Sequence, residues 1–190
     1  MNVRTLFLPQ AKRASYLLVL AVLAAAGVLL AARGTKPHPT TYSKPTIDVA
    51  LAVSDLDRSL AFYQNALGMR RIGAFDVPGD GAQAAGLTDG RPFHVEVLAL
   101  GEEPEATRWK LVRVDGAPHN RSEYIHDGIG LRYVTLHVHA LAPLLARLAE
   151  HRIRPPAHHP IDLGNGQHFA LIRDPDGVFI ELVGPLHAPE

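Results

Sequence analysis

The chain has 190 residues, a formal net charge of +0 and 47% apolar residues. This length fits one globular domain with an appendage, and the balanced charge excludes the basic footprint of a nucleic-acid-binding protein. Cysteine is absent, which excludes disulfides, zinc–thiolate sites and a cysteine nucleophile. Eleven histidines are many for this length, so metal or acid–base chemistry has to be tested residue by residue.

An uncharged apolar run covers Ala14–Ala32. The basic residues before it are Arg4, Lys12 and Arg13. A run of this length can just span a bilayer as a helix, and flanking basic residues stay on the cytoplasmic side. We therefore predict a cytoplasmic segment over 1–13 and a hydrophobic helix over 14–33, acting as a transmembrane anchor or signal segment. The C-terminal part would lie outside the cytoplasm, anchored to the membrane or, after cleavage at an alanine-rich site, periplasmic or secreted.

Residues 34–45 are rich in Pro, Thr and Ser and predict an extended linker. Alternating apolar residues from Ile47 to Val53 then predict a strand. Ser54 or Asp55 can cap the helix that follows, and Gly68 ends it. Three further strands are predicted at 69–75, 93–100 and 109–114.

The same order recurs in the second half of the chain. A strand is predicted at 133–138, a helix at 141–151, and strands at 169–173 and 178–183. A shift of 85 residues aligns five apolar positions of the two copies, from Val49 on Val134 to Leu60 on Leu145. A match that extends through a strand and a helix indicates an internal repeat.

The pattern predicts an α+β fold of two βαβββ modules. Each module would have one curved sheet with a helix on its back, and the inner sheet faces would enclose a cleft suited to a small molecule. The domain would cover 46–185 and leave a tail at 186–190. Its parts are module one at 46–116, a connection at 117–129 and module two at 130–185.

Two motifs carry a family resemblance. The segment from Ile47 to Leu56, followed by Phe62-Tyr63 and Leu67-Gly68, resembles the opening of vicinal oxygen chelate proteins. The segment from Asp174 to Leu182 resembles their closing hairpin. That superfamily includes glyoxalase I, extradiol dioxygenases and bleomycin-resistance proteins. The resemblance implies the glyoxalase/bleomycin resistance-like fold, and it leaves the reaction open because the scaffold hosts several.

The resemblance also implies four positions for metal ligands, on the first and last strands of each module. Carried over to this sequence, these positions hold Asp48, Lys110, Tyr133 and Glu181. A protonated lysine cannot ligate a metal and its charge repels one, and tyrosine is an uncommon ligand. We therefore predict no metal ligands and no cofactor, with a divalent metal disfavoured.

The same residues are the candidates for ligand binding and catalysis. Lys110 is predicted as a structural cation between Asp48 and Glu181, or alternatively as a catalytic base or Schiff-base amine. Glu181 would act as a general base or only pair with Lys110. Tyr133 would donate a hydrogen bond to an oxyanion or fill the cleft. His137 shares the strand face of Tyr133 and completes the predicted ligand-binding set.

Two functions follow as hypotheses. The first is an extracytoplasmic domain that binds a small molecule in the inter-module cleft without the usual metal. The second is an enzyme of lyase, isomerase or dioxygenase-like type with an unusual or absent metal site. A third hypothesis is an interaction module of an envelope assembly. The sequence does not decide whether the two modules pair within one chain or between the two chains of a homodimer.

Overall fold

The computed structural model describes residues 42–116 and 122–188. The hydrophobic helix predicted over 14–33 and the start of the predicted connection lie outside these ranges. Within them, no helix has both the length and the apolar character needed to cross a membrane. Both modules belong to one compact unit, Lys44–Glu190.

Module one is a four-stranded sheet with a helix on one face. Its elements are β1 (Asp48–Ala52), α1 (Leu56–Leu60) with a π-helical continuation (Ala61–Ala66), β2 (Arg70–Val77), α2 (Gly79–Ala84), β3 (Phe93–Ala99) and β4 (Arg108–Arg113). The strand order is β1-β4-β3-β2, with β1 parallel to β4 and the other pairs antiparallel. Asp55 caps α1, since its carboxylate accepts the backbone N–H of Arg58 at 3.0 Å.

Module two repeats this plan and confirms the two predicted modules. Its elements are a 3₁₀ turn (Ile125–Asp127), β5 (Tyr133–His137), α3 (Leu141–Glu150), β6 (Ile161–Asp162), β7 (His168–Arg173) and β8 (Phe179–Gly184). The strand order β5-β8-β7-β6 is that of module one, again with the first and last strands parallel. Three elements were not predicted: the short helix α2, the 3₁₀ turn at Ile125–Asp127, which lies in the predicted connection, and the two-residue strand β6.

A single apolar core joins the two modules. It is formed by the side chains that each sheet turns toward the helices, together with the apolar stripes of the helices. Its members include Val49, Leu51, Tyr63, Trp109, Leu111, Leu136, Leu144, Leu148, Ile180 and Leu182. Buried apolar area contributes about 25 cal/mol per Å², so this shared core is the main stabilising feature of the fold.

Hydrogen bonds between polar groups reinforce the contact between the modules. The Tyr63 hydroxyl donates to Asp174 at 2.7 Å, and the backbone N–H of Ser54 donates to Asp176 at 3.2 Å. From α3 of module two, the Arg147 guanidinium donates to the backbone carbonyls of Ala66 and Leu67 in module one, both at 2.9 Å. The turn that joins β7 to β8 therefore holds module two against α1 as well as reversing the chain.

Candidate functional site

Each sheet has one buried and one open side, and the open side is called the inner face here. In β1, Val49 and Leu51 are buried beneath the helices, whereas Asp48, Ala50 and Ala52 are exposed on the other side. The alternation follows from the two-residue period of a strand. The same alternation exposes Tyr133, Thr135 and His137 in β5.

The strand register shows that the predicted site residues occupy equivalent places in the two modules. Ala50 pairs with Lys110 between β1 and β4, and Thr135 pairs with Glu181 between β5 and β8. Paired residues point to the same face, so Lys110 and Glu181 both lie on inner faces. Asp48 precedes Ala50 by two residues, as Tyr133 precedes Thr135, and His137 lies at the far end of β5.

Lys110 forms an ion pair within module one. Its Nζ lies 2.9 Å from Asp48 Oδ2, and both side chains are about 30% exposed, at 31% and 27%. Lys44 Nζ adds a weaker contact at 4.0 Å from the other carboxylate oxygen. The hydrogen bond from Lys110 holds the pKa of Asp48 below its usual value. The first half of the predicted arrangement, Lys110 beside Asp48, is therefore present.

Glu181 has a different partner from the one predicted. The Thr135 hydroxyl donates to Glu181 Oε2 at 2.7 Å, and among the described residues Lys110 makes no ion pair with Glu181. Lys110 reaches Asp48 because both lie in one sheet, whereas Glu181 belongs to the other. Sequence reasoning missed Thr135, although the alternation along β5 places it between Tyr133 and His137 on the same face.

The donor set does not fit a divalent metal. The four positions offer two carboxylates, a phenol and an ammonium group, and Lys110 has no lone pair to donate while protonated. Nor do residues 42–116 and 122–188 contain any group of three His, Cys, Asp or Glu side chains that could hold a metal ion.

A cavity of about 360 Å³ lies where the two inner faces approach each other. Ala50 and Ala52 of β1 form one wall, and Gly177 to Phe179 at the start of β8 form another. Leu131 and Arg132, just before β5, complete the lining together with neighbouring residues. Its volume is within the range of small-molecule sites.

A chain of charged groups lies on the opposite side of the module-one sheet. His94 Nδ1 is 2.6 Å from Asp76 and its Nε2 is 3.1 Å from Glu96. Arg71 holds Glu96 through two hydrogen bonds of 2.5 and 2.7 Å. Glu96 is only 4% exposed, so this pairing satisfies a buried charge.

The hydrogen bonds among these charged groups shift the pKa values of His94 and Glu96. The hydrogen bond to Asp76, followed by that to Glu96, raises the pKa of His94. Burial alone would raise the pKa of Glu96, but the hydrogen bonds from Arg71 and His94 outweigh it and lower that pKa. The structure places His94 on the side of the sheet that carries Leu111, away from the inner face.

Comparison with known proteins places this geometry in a family context. A family model described as the Glyoxalase/Bleomycin resistance protein/Dioxygenase superfamily matches residues 47–182. A lactoylglutathione lyase of Oryza sativa subsp. japonica is 28% identical over 142 residues, which are 74% of this chain and 44% of that protein. The chain therefore spans less than half the length of this curated relative.

Solved structures show the same fold. A glyoxalase family protein of Bacillus cereus superposes with a TM-score of 0.62 at 18% identity, covering 78% of this chain and 99% of that one. A glyoxalase I of Leishmania major, described as trypanothione-dependent, superposes with a TM-score of 0.55 at 25% identity, covering 75% and 87% of the two chains.

Proposed function

This chain belongs to the glyoxalase/bleomycin resistance protein/dioxygenase superfamily, and we propose that its domain binds a small molecule on the inner faces of its modules without the usual divalent metal. The observation that carries this proposal is the 2.9 Å ion pair between Lys110 and Asp48. It puts a positive charge at a position where metal-using members of the fold place a ligand.

The inner-face side chains have complementary roles in this proposal. Lys110 keeps donor capacity beyond its contact with Asp48, because an ammonium group has three N–H donors. Thr135 orients Glu181, which leaves carboxylate lone pairs free to accept from a ligand. Tyr133 is 44% exposed and offers a ring for stacking and a hydroxyl for hydrogen bonding. His137 lies two residues further along β5 than Thr135 and would meet the far end of the ligand.

A ligand screen tests the proposal. Compounds that raise the melting temperature of the full chain would be mapped by amide chemical shifts. We expect the perturbed signals on β1, β4, β5 and β8, and loss of binding in Tyr133→Ala and Glu181→Gln. Tyr42→Ala, an exposed tyrosine outside the sheets, is the matched control. Perturbations confined to α1 and α3 would contradict the proposal.

A metal-free or unusual lyase or isomerase is the second candidate. It is favoured by the similarity to a lactoylglutathione lyase and by Glu181, a carboxylate on the inner face held by Thr135. In this reading Glu181 is the general base, Tyr133 stabilises an oxyanion and Lys110 is an alternative base. Incubation with S-lactoylglutathione, with and without added divalent metals, would be assayed for glutathione together with the 2-oxoaldehyde that a lyase must release, whereas glutathione together with lactate would indicate hydrolysis. General-base catalysis predicts a loss of about 10²–10⁴-fold in Glu181→Gln.

Two further parts of the proposal concern placement and assembly. The apolar run Ala14–Ala32 supports an anchored or exported protein with the domain outside the cytoplasm. A second copy whose modules cover the inner faces stays a prediction, supported by exposed aromatic residues such as Tyr133 and Phe75. Light scattering of the purified chain measures the oligomeric state.

A further inference from the structure

Two arginines lie in one row across the inner face of module one. Asp48 pairs with Arg108, Arg108 with Ala99, and Ala99 with Arg70. Residues paired across neighbouring strands point to the same side of a sheet. The row therefore presents two guanidinium groups on either side of the small side chain of Ala99, about two strand spacings, or roughly 10 Å, apart at the backbone.

These two arginines have no partner in the part of the chain that the structure describes. Arg70 and Arg108 are exposed, and the only charge interaction of either is the weak effect of Arg108 on Asp48. Asp48 is already paired with Lys110 at 2.9 Å. The row thus carries an excess of positive charge.

The opposite face of the same strands gives the contrast. Arg71 follows Arg70 along β2 and is bound to Glu96, and Arg113 on β4 lies 3.3 Å from Asp115. Arg71 and Arg113 on the outer face therefore form ion pairs, whereas within the described ranges Arg70 and Arg108 on the inner face form none. Two exposed guanidinium groups without an ion-pair partner, on one face of a sheet, are suited to bind an anion.

Small apolar residues flank Lys110 in the next row of the inner face. Ala50, Val97 and Gly73 lie in that row, and Phe75 lies in the row beyond. A Cβ atom at Gly73 would meet no heavy atom within 4 Å, and Phe75 is 48% exposed. Room for a ligand is therefore present at Gly73, between the arginine row and Phe75, in rows that span roughly 13 Å of strand.

We propose that the ligand is an organic anion with a flat apolar body, whose charged group binds Arg70 and Arg108 and whose body lies over Gly73 against Phe75. This inference rests on the proposed function and names the chemical class that the site accepts. A carboxylate, sulfonate or phosphate would share the required charge and hydrogen-bond acceptors.

Two dyes with the same ring system test the inference on the full chain. Anilinonaphthalene sulfonate is the anionic probe, and N-phenylnaphthylamine is its uncharged counterpart. Fluorescence titration should show tighter binding of the sulfonate. Arg70→Gln and Arg108→Gln should each weaken the sulfonate about tenfold, the loss expected for one charge-assisted hydrogen bond, and leave the uncharged dye unchanged. Arg113→Gln, on the outer face of β4, should change neither.

Gly73→Leu separates the inference from the proposed function. It adds bulk to the floor where the structure leaves room, so it should weaken both dyes while the melting temperature holds. In one outcome Gly73→Leu weakens the binding of both dyes, but the wild type binds the two dyes equally well and neither arginine change alters their affinity. Binding at the inner face then stands, and the inference that the ligand is an anion is wrong. If Gly73→Leu affects neither dye, or no dye binds in the millimolar range, the inner face of module one is not a binding site. If Arg113→Gln weakens the sulfonate as much as Arg108→Gln, the effect is one of general charge and the inference fails.

Discussion

The Tyr63 hydroxyl donates a 2.7 Å hydrogen bond to the Asp174 carboxylate, and both side chains are buried. Tyr63 lies in the helical segment of module one, and Asp174 opens the turn between β7 and β8 of module two. The other oxygen of Asp174 accepts the backbone N–H groups of Asp176 and Val178. Burial raises the pKa of both Asp174 and Tyr63, so the carboxylate depends on these donors.

Tyr63→Phe should lower the free energy of unfolding by about 1–3 kcal/mol, because it removes one donor from a buried carboxylate while it keeps the ring in the core. Urea unfolding measures the change. Tyr42→Phe serves as the control, since Tyr42 is exposed and its loss of a hydroxyl should cost nothing measurable. Equal stability of Tyr63→Phe and wild type would show that the hydrogen bond does not hold the modules together.

Lys110→Glu should create a cation site. It would replace the ammonium group beside Asp48 with a carboxylate, and clustered carboxylates bind divalent cations. Isothermal titration with Mn²⁺ should detect binding that the wild type lacks, and Arg113→Glu on the outer face should not reproduce it. Lys110→Ala should instead destabilise the chain by up to about 1 kcal/mol, since the pair is partly exposed.

Elemental analysis of the wild-type chain is the direct check on the metal prediction. We expect less than stoichiometric zinc, iron, manganese or nickel after dialysis. Near-stoichiometric metal that is lost in Glu181→Ala would contradict it.

His94 should make stability fall as the pH rises. Hydrogen bonds to Asp76 and Glu96 raise the folded-state pKa of His94 above its usual value of about 6.5. Its contribution to stability is therefore complete below about pH 6.5 and is lost as the pH rises through the folded-state pKa. In His94→Gln the melting temperature should depend less on pH in that window. His126→Gln, whose ring is 79% exposed, should behave like the wild type. An unchanged profile in His94→Gln would mean that other groups dominate.

Export is tested with a reporter fused after Glu190. We expect activity only from a reporter that functions outside the cytoplasm, because Arg4, Lys12 and Arg13 precede the apolar run Ala14–Ala32. A reporter active only in the cytoplasm would refute this prediction. A mature N-terminus near Ala32 would keep export and replace the anchor with a cleaved signal.

Local patterns predicted most of the fold because alternation and helical periodicity follow directly from which side chains are buried. A cap at Ser54 or Asp55 was predicted from local signals, and Asp55 is the residue that caps α1. The placement of Asp48 and Lys110 on one inner face came from the family resemblance. The helix α2 was not predicted, since glycine-rich segments have low helix propensity and tertiary packing buries Ala82. The partner of Glu181 also escaped sequence reasoning, because it depends on how the two sheets lie relative to each other.

The shared apolar core has a consequence for the segment that links the two modules covalently. The residues that hold the halves together belong mainly to α1 with its π-helical continuation, α3 and the sheets. Of the segment between β4 and β5 the structure describes 114–116 and 122–132, and no residue of these two stretches belongs to the core. Cleavage of one peptide bond in that segment would yield two fragments, each exposing the apolar surface that packs against the other in the intact chain. On mixing, the two fragments should reassemble into the native fold. The two modules would then be the subunits of a heterodimer.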